Sequence, residues 1–172
     1  MIFYVLLVLA VSAERLLELV VSKRNLTWSL ARGGVERGFG HYPVMVVLHA
    51  TLLVACVGEA VGADRPFLPA LGWPMLALVL ASQGLRWWCI ATLGRQWNTR
   101  VVVVPSLERI AGGPYRWLAH PNYVAVVIEG AALPLVRTAW VTAIGFTVLN
   151  AALLRVRLRT ENAALTELAV RA

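Results

Sequence analysis

The chain has 172 residues, of which 59% are hydrophobic and only 15% are charged, and its mean hydropathy is +0.71. Charged residues make up about a quarter of an ordinary soluble domain, so this composition argues against a soluble protein. The net charge of +7 could indicate a nucleic-acid partner, but the basic residues form no tract. We therefore expect this basic, hydrophobic chain to contact membrane lipids and no nucleic acid.

Five stretches of the sequence are candidates for membrane-spanning helices. A helix needs about 20 apolar residues to cross ~30 Å of hydrocarbon. The stretches that approach this length are residues 2–21, 42–61, 67–93, 123–136 and 139–158. The first has no basic segment before it and no small-residue cleavage site after it, so we interpret it as a span and not as a signal peptide. Because there is no internal repeat or linker, residues 1–172 are expected to form one all-α membrane domain.

Prolines lie at the start of the third stretch and near the end of the fourth. Pro66, Pro69 and Pro74 favour an irregular entry to the third stretch, with a regular helix from about Met75. The fourth stretch is short and contains Pro134, so we expect it to be tilted or partly buried between the other helices.

The distribution of basic residues predicts the orientation, because Lys and Arg concentrate in cytoplasmic loops. The loops after the first and third stretches and the C-terminal segment hold twelve basic residues, which are Lys23, Arg24, Arg32, Arg37, Arg95, Arg100, Arg109, Arg116, Arg155, Arg157, Arg159 and Arg171. The other two loops hold Arg65 and Arg137. This bias predicts a multi-pass protein of the cell membrane whose N-terminus is outside and whose C-terminus is cytoplasmic.

Charged residues inside the spans need partners, because an unpaired charge is costly in hydrocarbon. Near the end of the first stretch, Glu14 and Glu18 share one helix face, and Arg15 can pair with Glu18 across one turn. Arg86 in the third stretch and Glu129 in the fourth are also isolated charges, and we predict that they pair with each other. We interpret both groups as structural.

Two histidines and two cysteines lie in or beside the apolar stretches. His41 and His49 are too far apart along one helix to bind a single metal ion together, and no further ligand cluster accompanies them. We therefore predict no metal site, which leaves each histidine as a helix-interface residue or a substrate-pocket residue. Cys56 and Cys89 lie inside apolar runs and are predicted to be buried free thiols.

The loop between the third and fourth stretches is the richest in polar and aromatic residues. It begins with residues 93–100 (LGRQWNTR), continues through four valines that predict a short extended segment, and turns at residues 112–114. His120 precedes Pro121, so the backbone of His120 is pushed out of the helical region while Pro121 can occupy the first turn of a helix. The His120 side chain and the free amides of that helix would then lie together, which suits an anionic ligand group.

Two segments of the C-terminal half resemble the signature of the isoprenylcysteine carboxyl methyltransferase family. Residues 113–123 (GPYRWLAHPNY) are similar to the family pattern G-x-Y-x-x-x-R-H-P-x-Y, and residues 157–165 (RLRTENAAL) are similar to the pattern R-x-x-x-E-E-x-x-L. Two positions depart from these patterns, since the family's Arg before His-Pro is Ala119 here and its second Glu is Asn162. The first departure removes a positive charge, which Arg116 or Arg100 would have to replace.

Most of the chain is similar to a short bacterial branch of that family, which is associated with type III polyketide synthases and methylates alkylpyrones and phenolic lipids. The resemblance rests on residues 41–45 (HYPVM), His49, residues 93–100, residues 133–135 (LPL) and Asn150.

The resemblance implies S-adenosylmethionine as the cofactor, bound without a Rossmann domain, and the sequence contains no strand-GxGxxG-helix unit. The cofactor-binding residues that it implies are Ile110, Tyr115, His120, Pro121, Asn122, Tyr123 and Glu161. Arg157 would face the acceptor group, so Arg157 and Glu161 are the candidate catalytic residues. The candidate substrate-binding residues are Arg157, Trp97, Arg100, His41 and His49.

The implied reaction is transfer of a methyl group to an oxygen of a lipophilic acceptor, with an alkylpyrone or phenolic lipid favoured over an isoprenylcysteine-like carboxylate. Such oxygens ionise readily, so alignment and exclusion of water would carry catalysis, and no general base is nominated. The acyl tail of the acceptor would enter from the bilayer between the spans.

Two other classes of protein compete with this interpretation. Membrane sterol reductases share a similar C-terminal signature and bind a nicotinamide dinucleotide, but they are larger and have about twice as many spans. A transporter subunit or scaffold would place polar residues along a central route, whereas the polar residues here gather at one membrane edge.

Overall fold

In the computed structural model, the chain forms five α-helices and one two-stranded antiparallel β-ribbon within the part that the structure describes. The structure describes residues 1–38, 40–105, 107–108 and 110–169, with side chains described up to residue 164. The helices are α1 (Ile2–Leu30), α2 (His41–Gly62), α3 (Pro69–Leu93), α4 (Pro121–Leu135) and α5 (Trp140–Ala169), and the strands are β1 (Val35–Arg37) and β2 (Val101–Val103). Short 3₁₀ turns cover Gly94–Gln96 and Gly113–Arg116.

Three of the helical segments are long and apolar enough to cross a membrane, judged by length and composition. They are His41–Gly62, Pro69–Gln96 and Trp140–Ala164. The apolar helix α4 has 15 residues, which is short of the ~20 that a span needs. Helix α1 has 29 residues but includes three charged side chains between residues 14 and 18. These helices support the predicted helical membrane architecture, while five crossings and the orientation stay predictions.

Two differences from the expected elements concern the start of α3 and the valine segment. Helix α3 begins at Pro69 and continues through Pro74, so the expected irregular chain up to Met75 is wrong. Pro69 lies in the first turn, where backbone N–H groups have no acceptor within the helix, so its lack of an N–H costs nothing there. Pro74 lies further along, and its lack of an N–H removes one backbone hydrogen bond near the helix start. The all-α prediction also omitted the ribbon. The valine segment is extended, as expected, but it pairs with β1, and Val102 lies opposite Glu36.

The buried residues of α1 recur every three or four positions, which places them in one stripe along the helix. They are Tyr4, Val8, Val11, Glu18, Ser22, Asn25 and Ser29. The apolar first half of this stripe joins the main core, where the Tyr4 hydroxyl donates to the carbonyl of Leu133 on α4 (3.1 Å). At 1.5 Å per residue, α1 is about 43 Å long, so its polar last turns extend beyond a hydrocarbon layer of ~30 Å.

Four charged side chains from three helices, which we call the charge cluster, meet inside the bundle. Arg15 of α1 donates to Glu18 (2.6 Å) and to Glu129 of α4 (2.7 Å). Arg86 of α3 lies 3.3 Å from Glu129 and 3.4 Å from Glu18. The predicted Arg15–Glu18 and Arg86–Glu129 pairs are therefore confirmed. Gln83 adds an uncharged partner for Arg15 (2.9 Å). Because two positive and two negative charges balance, the cluster can be buried.

A carboxylate of α2 fixes the start of α5 at the Gly62 end of α2. Glu59 accepts hydrogen bonds from the backbone N–H groups of Val141 (3.3 Å) and Thr142 (2.7 Å), and it pairs with Arg65 (2.8 Å). The free amides at the start of a helix need acceptors, and the helix dipole favours a negative charge there. Glu59 therefore ties α5 to α2 at this end of the bundle.

Loss of one carboxylate from the charge cluster is expected to destabilise the bundle strongly. Glu129→Ala leaves Arg15 and Arg86 without their shared partner, and breaking a buried ion pair costs about 3–5 kcal/mol. We expect a loss of that size in the free energy of unfolding, measured by denaturant unfolding in detergent. The control is Glu14→Ala, because Glu14 accepts from the Trp87 indole N–H at the protein surface and should contribute less than about 1 kcal/mol. Equal losses in the two variants would contradict a stabilising role for the cluster.

Candidate functional site

A cavity lies at the end of the bundle where α1, α3 and α5 end and α4 begins. Its volume is about 510 Å³, within the range of about 300–1,000 Å³ that is usual for small-molecule sites. Strand β2 and the loops on either side of it complete the walls. Nine of the residues selected from the sequence line this cavity, and they are Trp97, Arg100, Ile110, Tyr115, His120, Asn122, Tyr123, Arg157 and Glu161.

Tyr123 joins the two candidate catalytic residues. Its hydroxyl donates to the Glu161 carboxylate and accepts a hydrogen bond from Nε of Arg157 (2.7 Å). The Arg157 guanidinium also donates to the backbone carbonyl of Thr99 (2.6 Å) and contacts the sulfur of Met45 on α2. Arg157 is only 6% exposed. Its cation is therefore held in place by two helices and a loop before any ligand binds.

The Glu161 carboxylate has a second partner at the start of α4. Nδ1 of His120 lies 3.5 Å from Oε1 of Glu161, and the His120 ring stacks on Tyr123 with their centroids 5.4 Å apart. Helix α4 begins at Pro121 directly after His120, as the sequence predicted. Oδ1 of Asn122 is buried without a hydrogen-bond partner among the described residues. This part of the cavity, which we call the Glu161 end, suits a ligand with N–H or O–H donors.

The 3₁₀ turn Gly113–Arg116 forms the wall beside the Glu161 end. Gly113 has a φ of +54°, and a Cβ at this position would lie 2.4 Å from Oγ1 of Thr92 on α3. Only glycine allows the turn to pack this closely on α3. The turn brings Tyr115 to the cavity, and burial raises the pKa of the Tyr115 phenol, so the hydroxyl stays neutral. Ile110 lines the cavity as well.

The opposite part of the cavity, which we call the Arg100 end, combines an apolar surface with one cation. Trp97 is buried there, and residues 101–104 add four valine side chains to the lining. Arg100 donates to Glu36 of β1 (2.8 Å) and lies over the ring of Tyr42, 4.3 Å from its centroid. The hydrogen bond to the Glu36 carboxylate raises the pKa of the Arg100 guanidinium, so it stays charged.

One of the two arginines considered as a replacement for the family's arginine lies in the cavity. Ala119, which stands at the family's arginine position, lines the cavity together with Arg100. Arg116 is exposed and lies over the ring of Trp117, 4.9 Å from its centroid. Of these two arginines, Arg100 is therefore the one whose positive charge reaches the cavity lining.

Two of the candidate site residues predicted from the sequence, Pro121 and His41, lie next to the cavity but are not among its lining residues. Pro121 is buried in the first turn of α4, where it supports its lining neighbours His120 and Asn122. His41 begins α2, one turn before the methionine that contacts Arg157. Its contact with an acceptor stays a prediction.

The structure places His49 at a helix interface and outside the cavity lining. Its Nδ1 is hydrogen-bonded to the carbonyl of Met45 (2.8 Å), and its ring meets that of Phe146 edge-on at 5.3 Å. Of the two roles left open by the sequence, the helix-interface role matches these contacts.

Among the described residues, no three His, Cys, Asp or Glu side chains are grouped so that they could hold a metal ion. Cys56 and Cys89 are free and buried, which confirms that prediction.

Sequence reasoning missed the residues of the N-terminal part that support the Arg100 end. Ser22 and Asn25 hydrogen-bond to the loop after α3, Ser29 lines the cavity, and Glu36 pairs with Arg100. A signal was present, because the polar residues of α1 share one helix face. Hydropathy ended the first span at residue 21 and so assigned this polar continuation of the helix to a loop.

Similarity to known proteins identifies the family. The Isoprenylcysteine carboxyl methyltransferase (ICMT) family model matches residues 75–167. A protein of Bacillus subtilis (strain 168) named "Uncharacterized protein YpbQ" is 35% identical over 167 residues, which cover 96% of this chain and 98% of that protein. No solved structure matches the chain significantly. The chain belongs to the isoprenylcysteine carboxyl methyltransferase family, whose members use S-adenosylmethionine, and this membership implies a membrane methyltransferase.

Loss of the Tyr123 hydroxyl is expected to weaken cofactor binding. Tyr123→Phe removes the group that bridges Arg157 and Glu161, and each lost hydrogen bond to a charged partner contributes about 1.5–3 kcal/mol. We expect the Kd for S-adenosylhomocysteine, measured by calorimetry in detergent, to rise at least about tenfold. Tyr42→Phe serves as the control, because the Tyr42 hydroxyl contacts Thr99 (3.4 Å) and Arg100 and is not a partner of Glu161 in the described contacts. An unchanged Kd in Tyr123→Phe would show that the Tyr123 hydroxyl does not contribute to cofactor binding.

Proposed function

We propose that this protein is an S-adenosylmethionine-dependent O-methyltransferase for a lipophilic acceptor at the cytoplasmic face of the cell membrane. The acceptor group that we favour is the enolic or phenolic hydroxyl of an alkylpyrone or a phenolic lipid. The observation that carries the proposal is the chain of contacts from Glu161 through Tyr123 to Arg157 in one cavity. This chain of contacts connects the Glu161 end, which has polar ligand-binding groups, to the Arg100 end, which has an apolar wall.

The Glu161 end fits S-adenosylmethionine. The Glu161 carboxylate offers an acceptor for the ribose hydroxyls or the ammonium group of that molecule. The unpaired Oδ1 of Asn122 is a second acceptor, and an unsatisfied buried acceptor is costly unless a ligand supplies a donor. Of the first turn of α4, the backbone N–H of Asn122 suits the carboxylate of S-adenosylmethionine, since Pro121 has no N–H and those of Tyr123 and Val124 donate to the carbonyl of His120. Tyr115 and Ile110 add apolar wall beside these polar groups.

The Arg100 end fits the acceptor. Trp97 and the valines of residues 101–104 offer an apolar surface to a ring or an acyl chain. Arg100 and Arg157 supply positive charge, which stabilises an enolate, a phenolate or a carboxylate at the cavity. An acceptor with one ionisable oxygen on an apolar body matches both features.

Alignment is the main contribution of the protein to the proposed reaction. When bound, S-adenosylmethionine would supply an electrophilic methyl group, whose bond to sulfur breaks as its bond to the acceptor oxygen forms. Arg157 lies between the two ends of the cavity and can hold the acceptor oxygen as an anion, so the proton of that oxygen is lost to water before transfer. Alignment and exclusion of water by the bound reactants would then carry catalysis, and no side chain is required as a strong base.

The same cavity would also accept a carboxylate, so carboxyl methylation of an isoprenylcysteine-like molecule is the second candidate. It is supported by the two arginines, since a guanidinium binds a carboxylate well. Each acceptor carries one negative charge when it is ionised, so the two arginines do not distinguish between them, but the chain resembles the short bacterial branch that methylates alkylpyrones and phenolic lipids. We therefore favour the ring hydroxyl.

The cytoplasmic placement rests on the loop charges. Arg100 and Arg157, which line the cavity, belong to the basic loop after the third predicted span and to the basic C-terminal segment. Basic loops favour the cytoplasmic side, where a soluble cofactor would reach the cavity.

Substitution of the two candidate catalytic residues is expected to separate cofactor binding from acceptor turnover. Glu161→Ala should abolish measurable binding of S-adenosylmethionine, because it removes the carboxylate that His120 and Tyr123 orient. Arg157→Ala should mainly lower turnover of the acceptor, by about 100-fold or more, which is typical for removal of a preorganised charge-stabilising group. Arg159→Ala is the matched control, because Arg159 is exposed on the same helix. Equal loss of cofactor affinity in Glu161→Ala and Arg157→Ala would refute these separate roles.

The direct test combines a cofactor assay with an acceptor assay on the detergent-purified protein. Calorimetry should detect saturable binding of S-adenosylmethionine and S-adenosylhomocysteine and no binding of NADPH. Mass spectrometry should then detect the methyl ether of a long-chain 4-hydroxy-6-alkyl-2-pyrone or of a 5-alkylresorcinol. Methylation of N-acetyl-S-farnesylcysteine alone would support the second candidate. Binding of NADPH alone would support a reductase, and binding of none of the three would support a non-catalytic membrane protein.

A further inference from the structure

Asn25 of α1 holds the backbone of the loop that carries Trp97. Its side-chain amide donates to the carbonyl of Trp97 (2.7 Å) and to the carbonyl of Gly94 (3.1 Å). Asn25 itself is buried, with 8% of its surface exposed. One amide group thus fixes both ends of the short segment between Gly94 and Trp97.

Ser22, one turn earlier on the same face of α1, holds the next part of this loop. Its hydroxyl donates to the side-chain oxygen of Asn98 (2.8 Å) and accepts from the backbone N–H of Thr99 (3.0 Å). Its backbone carbonyl accepts from the side-chain amide of Asn98 (3.3 Å). Ser22 and Asn25 together therefore contact the loop from Gly94 to Thr99.

The loop needs such partners because it has little regular structure of its own. Gly94 adopts a φ of +51°, only a short 3₁₀ turn follows, and the backbone is extended at Trp97. Buried backbone polar groups outside helices and sheets must be paired with side chains or water. The polar half of α1 supplies part of that pairing, which explains why a helix with an apolar first half continues with buried polar residues.

This support acts on one end of the cavity. The loop contributes Trp97 and Arg100 to the Arg100 end, and its Thr99 carbonyl accepts a hydrogen bond from Arg157. At the Glu161 end, the partners of Glu161 come from α4 and from the residue before it. Displacement of the loop would therefore change the acceptor wall directly, whereas the contacts of Glu161 with Tyr123 and His120 do not involve the loop.

The supporting residues lie outside the segment that matches the family model. That segment covers residues 75–167, which include the loop and the Glu161 end. Ser22, Asn25 and Glu36 precede it and each contact the loop. We propose that Ser22 and Asn25 are positioning residues that fix the Trp97–Arg100 wall, so that α1 determines which acceptors the enzyme takes. This inference rests on the proposed function, because it assigns the Arg100 end to the acceptor.

The test compares Asn25→Ala with the wild-type enzyme in two measurements, one on an acceptor substrate and one on a cofactor ligand. Loss of two hydrogen bonds should raise the KM for a long-chain 4-hydroxy-6-alkyl-2-pyrone by about tenfold or more. The Kd for S-adenosylhomocysteine should change by less than about twofold, since no hydrogen bond to Glu161 is lost. The matched control is Thr27→Ala, because the Thr27 hydroxyl is exposed on the same helix and bonds only to the carbonyl of Lys23 (3.2 Å) among the described residues. A parallel loss of cofactor affinity, or an unchanged acceptor KM, would overturn the proposal.

A second measurement does not depend on activity. Backbone amide hydrogen exchange in Asn25→Ala should become at least about tenfold faster in residues 94–100 and stay unchanged in residues 121–135. Faster exchange in both segments would mean a general structural role and would overturn the positioning role. Wild-type protein that binds no S-adenosylmethionine would refute the proposed function, whereas wild-type binding with unchanged exchange in residues 94–100 would refute only the role of Asn25.

Discussion

The burial of two arginines and two glutamates inside the helix bundle is the constraint on which the rest of the fold depends. Each of these charges would be unfavourable alone in an apolar interior, so the three helices that carry them must pack in the one arrangement that brings all four together. Glu129 accepts from Arg15 of α1 and lies beside Arg86 of α3, and Glu18 contacts the same two arginines. The charge cluster thus specifies the relative rotation and depth of α1, α3 and α4.

The position of the cluster has consequences for the cavity, because α1, α3 and α4 each contribute to its lining, with Ser29, Leu93 and Tyr123. Ser22 lies one turn after Glu18 on the buried face of α1. Glu18 contacts the charge cluster, whereas Ser22 hydrogen-bonds to the loop after α3. On α4, Glu129 lies less than two turns from Tyr123, which contacts both Arg157 and Glu161. Because the helices are rigid, the charge cluster that fixes their packing also fixes the positions of these side chains. The geometry of the cavity therefore depends on packing outside the cavity.

The identity of the polar groups in the cavity followed from the sequence, whereas their connections did not. The His-Pro step predicted the start of α4, and the signature segments selected His120, Tyr123, Arg157 and Glu161. Their order along the chain could not indicate that the Tyr123 hydroxyl bridges Arg157 and Glu161, because this contact needs α4 and α5 side by side. Nor could it choose between Arg100 and Arg116 as the cation of the cavity.

The sequence by itself determined the membrane class, the positions of the long apolar helices, two of the ion pairs in the charge cluster and the family. These properties depend on composition, on helical periodicity and on short motifs, all of which are local. Only the tertiary structure decided that α1 continues to Leu30, that β2 pairs with β1, and that His49 packs against Phe146 outside the cavity. Hydropathy registers only whether a segment is apolar, so it cannot recognise a polar helix end such as the turn around Asn25, whose burial depends on a loop about 70 residues further along the chain.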